Sequence, residues 1–122
     1  MANEIQFSFS GRIQKGSFLD VISQETLQVT QSGVGDYSPT ALVGTTEEDL
    51  LIGDIGTLGW LYLKNLDTTN YVTWGPKSGG VMIPLGRIEP GEFAVLRLEP
   101  GVTLRWKANS SAVRIKVRLY ED

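Results

Sequence analysis

Along most of this chain apolar and polar residues alternate with a period of two, the pattern of strands buried on one face. Ile5, Phe7, Phe9 and Ile13 alternate with Gln6, Ser8, Ser10 and Arg12, and Val113, Ile115, Val117 and Leu119 alternate with Arg114, Lys116, Arg118 and Tyr120. The first and last segments therefore read as long amphipathic strands. Shorter candidates lie between them, at residues 26–31, 41–43, 60–65, 71–74, 81–85, 92–98 and 103–108, most bounded by Gly, Pro, Asn or Asp. About nine strands spaced roughly eight to twelve residues apart predict an all-β fold, an antiparallel β-sandwich or a jelly-roll-like barrel. A helical turn is predicted only over residues 45–51, where Thr46 can cap and Asp49 sits three residues on.

The turns sharpen this picture. Glu89-Pro90-Gly91 and Glu99-Pro100-Gly101 stand ten residues apart. In each, Pro presets φ at the first central position of a type II turn and Gly supplies positive φ at the second. Two such turns fence residues 92–98 and predict a tight antiparallel meander over 81–119, with Leu104 and Trp106 facing Phe93 or Leu96 across strands. Residues 14–58 differ in texture, with six of the fourteen glycines and the acidic run Glu47-Glu48-Asp49. Long loops with short strands, serving as interaction surfaces or ordered only by a partner, are expected there.

The length of 122 residues fits a single domain. With no His and no Cys, Ser-His-Asp triads, Cys-His dyads, thiolate zinc sites and disulfides are excluded. The net charge of −3 argues against a nucleic-acid binder that works by phosphate neutralisation and against an anionic membrane surface. No apolar run approaches a membrane span, and MANEIQFSFS has neither the basic nor the apolar region of a secretory signal, so use without export is expected. Charge divides along the chain: residues 1–80 hold nine acids against four bases, and residues 81–122 hold seven bases against five acids. Complementary ends of this kind help set register between identical copies, although edge charges also guard strands in ordinary sheets.

Candidate chemistry is sparse. Asp49 with Asp54, or Glu89 with Glu92, are the carboxylate pairs that glycosidase chemistry would need, but nothing in their surroundings separates the two pKa values of either pair. Asn65, Asp67 and Asn70 offer oxygen ligands to a hard cation, and Asx-turn hydrogen bonding between two strands explains the same residues. Gly53, Gly56 and Gly59 lack the Lys-Ser/Thr pair and following helix of a phosphate loop and read as turn glycines. No catalytic residue, cofactor or metal ligand is assigned. The aromatics are the stronger candidates. Trp60 and Tyr62 share one face of their strand with Leu61 and Leu63 on the other, so one set points away from the core or into a second layer. Trp60, Tyr62 and Trp74 are the candidate interaction residues, either covered by a neighbouring chain or forming a sugar-stacking platform.

Three segments, Leu58-Gly-Trp-Leu-Tyr-Leu-Lys-Asn-Leu-Asp67, Thr69-Asn-Tyr-Val-Thr-Trp-Gly75 and Ile83-Pro-Leu-Gly-Arg-Ile-Glu-Pro-Gly-Glu-Phe-Ala-Val-Leu-Arg-Leu98, carry a family likeness. This block resembles small virion proteins of tailed bacteriophages, in which a G-x-L-x-L-x-N-x-D-x-x-N-Y-V strand-turn-strand precedes a P-G-E-x-A hairpin. The likeness covers residues 52–120, with weaker echoes at Gln31 and Gly44-Thr-Thr-Glu-Glu48. It implies a single β-sandwich domain over 1–122, with 52–120 as its core and residues 1–33 as peripheral strands or an arm reaching a neighbour. It further implies a non-enzymatic capsid decoration (cement) protein on the capsid exterior, made in the host cytoplasm. The implied partners are copies of itself, a trimer being favoured, and the major capsid protein, with no nucleic acid, membrane or small-molecule substrate. Tail and head-completion proteins share the pattern, and a carbohydrate-binding sandwich using its aromatics is the alternative from the binding-module class.

Overall fold

A computed structural model describes residues 5–31, 33 and 35–122. The described residues form β-strands and turns without a helix, and every strand pairing is antiparallel. The chain divides into two compact units, residues 1–32 and 33–122.

The first unit is a long hairpin of β1 (Ile5–Lys15) and β2 (Phe18–Val29). Its two-residue loop places Gly16 at φ 59°, a conformation that glycine adopts without steric cost. Between the pairs Phe9↔Glu25 and Gly11↔Ile22 one residue of β1 faces two of β2. This bulge moves β2 by one position relative to its own alternation. Before it, Leu27 and Val29 share a face with Phe7 and Ile5; beyond it, Ile22 and Phe18 take over that face and Leu19 and Val21 pass to the other. The shift explains why β2 escapes a period-two reading: residues 18–24 are apolar on both faces. Where the sequence predicts loops from residue 14 and a short strand at 26–31, the structure has a twelve-residue strand.

The second unit contains β3 (Asp36–Tyr37), β4 (Thr40–Val43), β5 (Glu48–Asp49), β6 (Leu58–Asn65), β7 (Val72–Ser78), β8 (Val81–Met82), β9 (Gly86–Ile88), β10 (Phe93–Arg97), β11 (Leu104–Ala108) and β12 (Val113–Glu121). One five-stranded sheet runs β10-β6-β12-β3, with β4 also paired to β12; the other runs β5-β11-β7-β8, with β9 also paired to β7. Neither sheet closes into a barrel. Twelve described strands replace the predicted nine because β3, β5 and β9, of two or three residues, are too short to show a period. Residues 45–51 form no helical turn: Glu48 and Asp49 pair with Trp106 and Arg105 as β5.

Both sheets feed one apolar cluster. Leu61, Leu63, Val113, Ile115, Val117, Leu119 and Val43 come from the first sheet, and Val72, Ile88, Leu104, Trp106 and Ala108 from the second. The strict alternation of β6 and β12 is the reason, since every second side chain must point to the same side. Both Pro-Gly turns form: the Glu92 amide donates to the Glu89 carbonyl (3.0 Å) and the Val102 amide to the Glu99 carbonyl (3.2 Å), with Gly91 and Gly101 at φ 80° and 87°. The meander over 81–119 does not form. β10 pairs with β6 and β11 with β7, so the second turn carries the chain from one sheet to the other.

Asn65 is buried to 1% exposure at the end of β6. Its Nδ2 donates to the carbonyls of Asn70 and Ile88 (both 2.9 Å) and its Oδ1 accepts from the Asp67 amide (2.8 Å). One amide thereby satisfies three backbone groups from three different segments.

Candidate functional site

Burial of alternate residues in β6 and β12 forces their neighbours onto the outer face of the first sheet. The register places these side chains in rows across the strands. Phe93, Lys64, Lys116 and Thr40 form one row; Val95, Tyr62 and Arg118 the next; Arg97, Trp60, Tyr120 and Asp36 a third; Arg114 and Leu42 lie beside one another at the other end. Tyr62 and Phe93 rings sit 6.0 Å apart, tilted by 32°. The Arg97 guanidinium lies 5.7 Å from the Trp60 ring centroid while Arg97 Nη2 donates to Asp122 Oδ1 at 2.8 Å. A sugar stacking on Trp60 would have to displace Arg97.

The charge on this face is mostly basic, with acids only at its Trp60 end, where Asp36 closes the third row and Asp122 pairs with Arg97. Lys64 and Lys116 are direct cross-strand partners, with Arg114 and Arg118 two residues to either side of Lys116. Like charges directly opposite one another destabilise a sheet. Among the described residues Lys64, Lys116 and Arg114 have no carboxylate in ion-pair reach. A chain of net charge −3 thus carries a basic, aromatic sheet face. Arg, Trp and Tyr are the residue types that dominate the energetics of protein–protein interfaces.

Of the three aromatic candidates, the structure brings Trp60 and Tyr62 onto this face and leaves Trp74 elsewhere. Trp74 belongs to the second sheet, opposite Trp106 and Gly86, and packs against the core. A Cβ at Gly86 would collide with the Trp74 ring, so that glycine is the floor on which the indole lies.

Glu89, Glu92 and Asp67 are committed locally. Glu92 Oε1 accepts from the Glu89 amide (2.8 Å) and Glu89 pairs with Arg87 (3.3 Å). Asp67 Oδ2 accepts from the amides of Thr69 (3.1 Å) and Asn70 (2.6 Å), an Asx-turn arrangement. Those two backbone donors lower the Asp67 pKa. Among the described residues no three carboxylates gather as a metal site would need. In the Gly53–Gly59 segment the Gly56 amide donates to the chain's own Glu121 (3.0 Å), which also accepts from the Gly35 amide (3.2 Å).

A second polar cluster, invisible in the sequence because its members lie far apart, centres on Arg105. Its Nε donates to Asp49 Oδ1 (2.8 Å), and its Nη1 to Glu47 Oε1 (3.1 Å) and the Gly80 carbonyl (2.8 Å). Glu47 also accepts from the Met82 amide (2.7 Å), and Lys77 stands 3.6 Å from Asp49. The Met82 amide, then Arg105, hold the Glu47 pKa below its ordinary 4.5; the Arg105 hydrogen bond holds Asp49 below 3.8. Lowered carboxylate pKa values contribute stability above the ordinary values that is lost as pH falls through the folded-state ones. Thermal melts from neutral pH downward are therefore expected to fall below pH 4.5. Glu47→Gln should start from a lower melting temperature and lose less over the same interval; parallel curves for both proteins would contradict this role.

Comparison with protein-family models, with curated proteins and with solved structures finds no match to this chain. No helix among the described residues is long and apolar enough to cross a membrane.

Proposed function

We propose that this chain is a non-enzymatic structural protein of a tailed-bacteriophage virion, a capsid decoration protein that binds and stabilises the assembled head. In this reading the two five-stranded sheets make a β-sandwich with jelly-roll-like crossing between sheets, and the outer face of β10-β6-β12-β4 docks on an acidic patch of the shell. The observation that carries the docking face is the unpaired Lys64–Lys116 couple set among Tyr62, Phe93, Arg114 and Arg118. The likeness of residues 52–120 to small virion proteins supports a virion component, and the location on the head is what sedimentation with heads tests. A protein that binds assembled shell but not separated shell subunits stabilises the shell by mass action, and many weak contacts per particle add through avidity. Co-sedimentation tests it: the chain should pellet with emptied heads of the encoding phage and stay in the supernatant with dissociated shell protein. Equal recovery with both, or with neither, would overturn the proposal.

A further inference from the structure

The hairpin tip is apolar on both faces. Ile13, Phe18 and Ile22 project from one and Leu19 and Val21 from the other, and all five are exposed, Phe18 at 60% and Val21 at 57%. A two-stranded ribbon standing alone is marginally stable in water, so a tip of this composition needs cover on both sides. The strands carry it about 35 Å along the ribbon from the pair Ile5↔Val29.

The second unit holds a matching vacancy. Between β4, at the edge of one sheet, and β5, at the edge of the other, lies a groove of about 540 Å³. Its floor is Leu50, Trp106 and Val117, all core residues, and its rim is Leu42 and Leu51, exposed at 63% and 74%. β4 pairs only with β12 and β5 only with β11 among the described strands, which leaves each with a backbone edge open to an added strand. Charge is complementary at one point. Glu48 and Asp49 line the groove with Arg105, and Arg105 holds Asp49, which leaves Glu48 as the acid facing outward. Arg12 and Lys15 flank the hairpin loop, Arg12 on the same face as Leu19 and Val21.

We propose that the hairpin tip of one copy of this chain seats in the β4–β5 groove of a second copy, with Leu19 and Val21 entering between Leu42 and Leu51. Such a contact is heterologous, arm to groove, so it propagates from copy to copy until a ring closes. It does not depend on where the protein acts, and it is tested without a particle.

The chain contains no cysteine, so introduced thiols report unambiguously. Leu19→Cys and Leu51→Cys proteins, mixed and oxidised, should give a disulfide between one chain of each kind, while neither alone gives a comparable yield. Light scattering of the unmodified protein at high concentration should read a multiple of 13.4 kDa, and Val21→Lys should return it to one chain. A Leu19→Cys homodimer as the main product would show arm packing on arm and overturn the proposal. A monomeric mass, or an intrachain disulfide in the doubly substituted protein, would also overturn it. Cross-linking that succeeds where co-sedimentation fails would leave the arm contact standing and remove the virion reading; the opposite pair of results would do the reverse.

Discussion

Lys116→Glu is expected to weaken binding to assembled heads by at least about tenfold while leaving the fold as stable as the parent or slightly more so. The two signs come from one piece of geometry. Lys64 and Lys116 face each other across β6 and β12 on the outer sheet face, a repulsion that works against folding in the free protein. Glutamate at 116 turns it into a cross-strand ion pair, contributing a few tenths of a kcal/mol at most because both groups meet water. The same change places a negative charge in the middle of the basic face, where an acidic shell surface would be repelled. Sedimentation isotherms with emptied heads, run beside thermal melts, separate the effects. Weaker binding with an unchanged or higher melting temperature supports a docking face. Unchanged binding would show that these lysines are only solvated sheet residues. Parent binding should also fall steeply with added salt, since exposed charges are screened over about 8 Å at physiological ionic strength.

Asn65→Ala is expected to cost about 3 kcal/mol of folding free energy, the largest loss anticipated from any single side chain outside the apolar cluster. The amide is 1% exposed and its removal leaves the carbonyls of Asn70 and Ile88 and the amide of Asp67 without their partner. Buried polar groups deprived of a partner each cost about 1–3 kcal/mol, reduced where water can enter the space vacated. The native residue also accepts at its backbone from Gly91 (3.1 Å) and donates to Glu92 (3.0 Å), bonds that alanine retains. It therefore ties β6, the Asx turn at Asp67, β9 and the first Pro-Gly turn together. Urea unfolding should show a midpoint shift at nearly constant slope. A loss below about 1 kcal/mol would mean that water replaces the amide and that the residue is not structurally central.

The parts of the fold legible in the sequence are those written by strict alternation. In β6 and β12 one face is fully buried and the other wet, so Leu61, Leu63, Ile115 and Val117 announce the core, and Trp60 and Tyr62 follow onto the outer face. The Pro-Gly turns were legible for a related reason, because their chemistry is local. Three features were not. β2 is apolar on both faces around the bulge, which hides its period. Trp74 alternates like Trp60, yet it points inward because β7 lies in the other sheet, and sheet membership is a long-range property. The same limit defeated the meander, since a type II turn fixes the chain reversal but not which strand pairs with which. The basic face was hidden for a different reason: Lys64 and Lys116 are 52 positions apart, and the net charge averages them against acids that lie elsewhere. No sequence window could join Arg105 to Glu47 and Asp49 either, although the early acidic run was a partial signal. Asn65 was read correctly as a turn former, but its burial follows from the long-range approach of Ile88, whose carbonyl its amide meets.

The central claim is that this protein works by covering an assembled shell rather than by chemistry. Electron cryomicroscopy of the virion encoded alongside this chain tests it most directly. The account predicts density for the two five-stranded sheets on the outside of the head, with the Lys64–Lys116 face turned toward the shell. A head whose exterior lacks this density, or density that meets the shell through the opposite sheet with Lys64 and Lys116 in solvent, would contradict it.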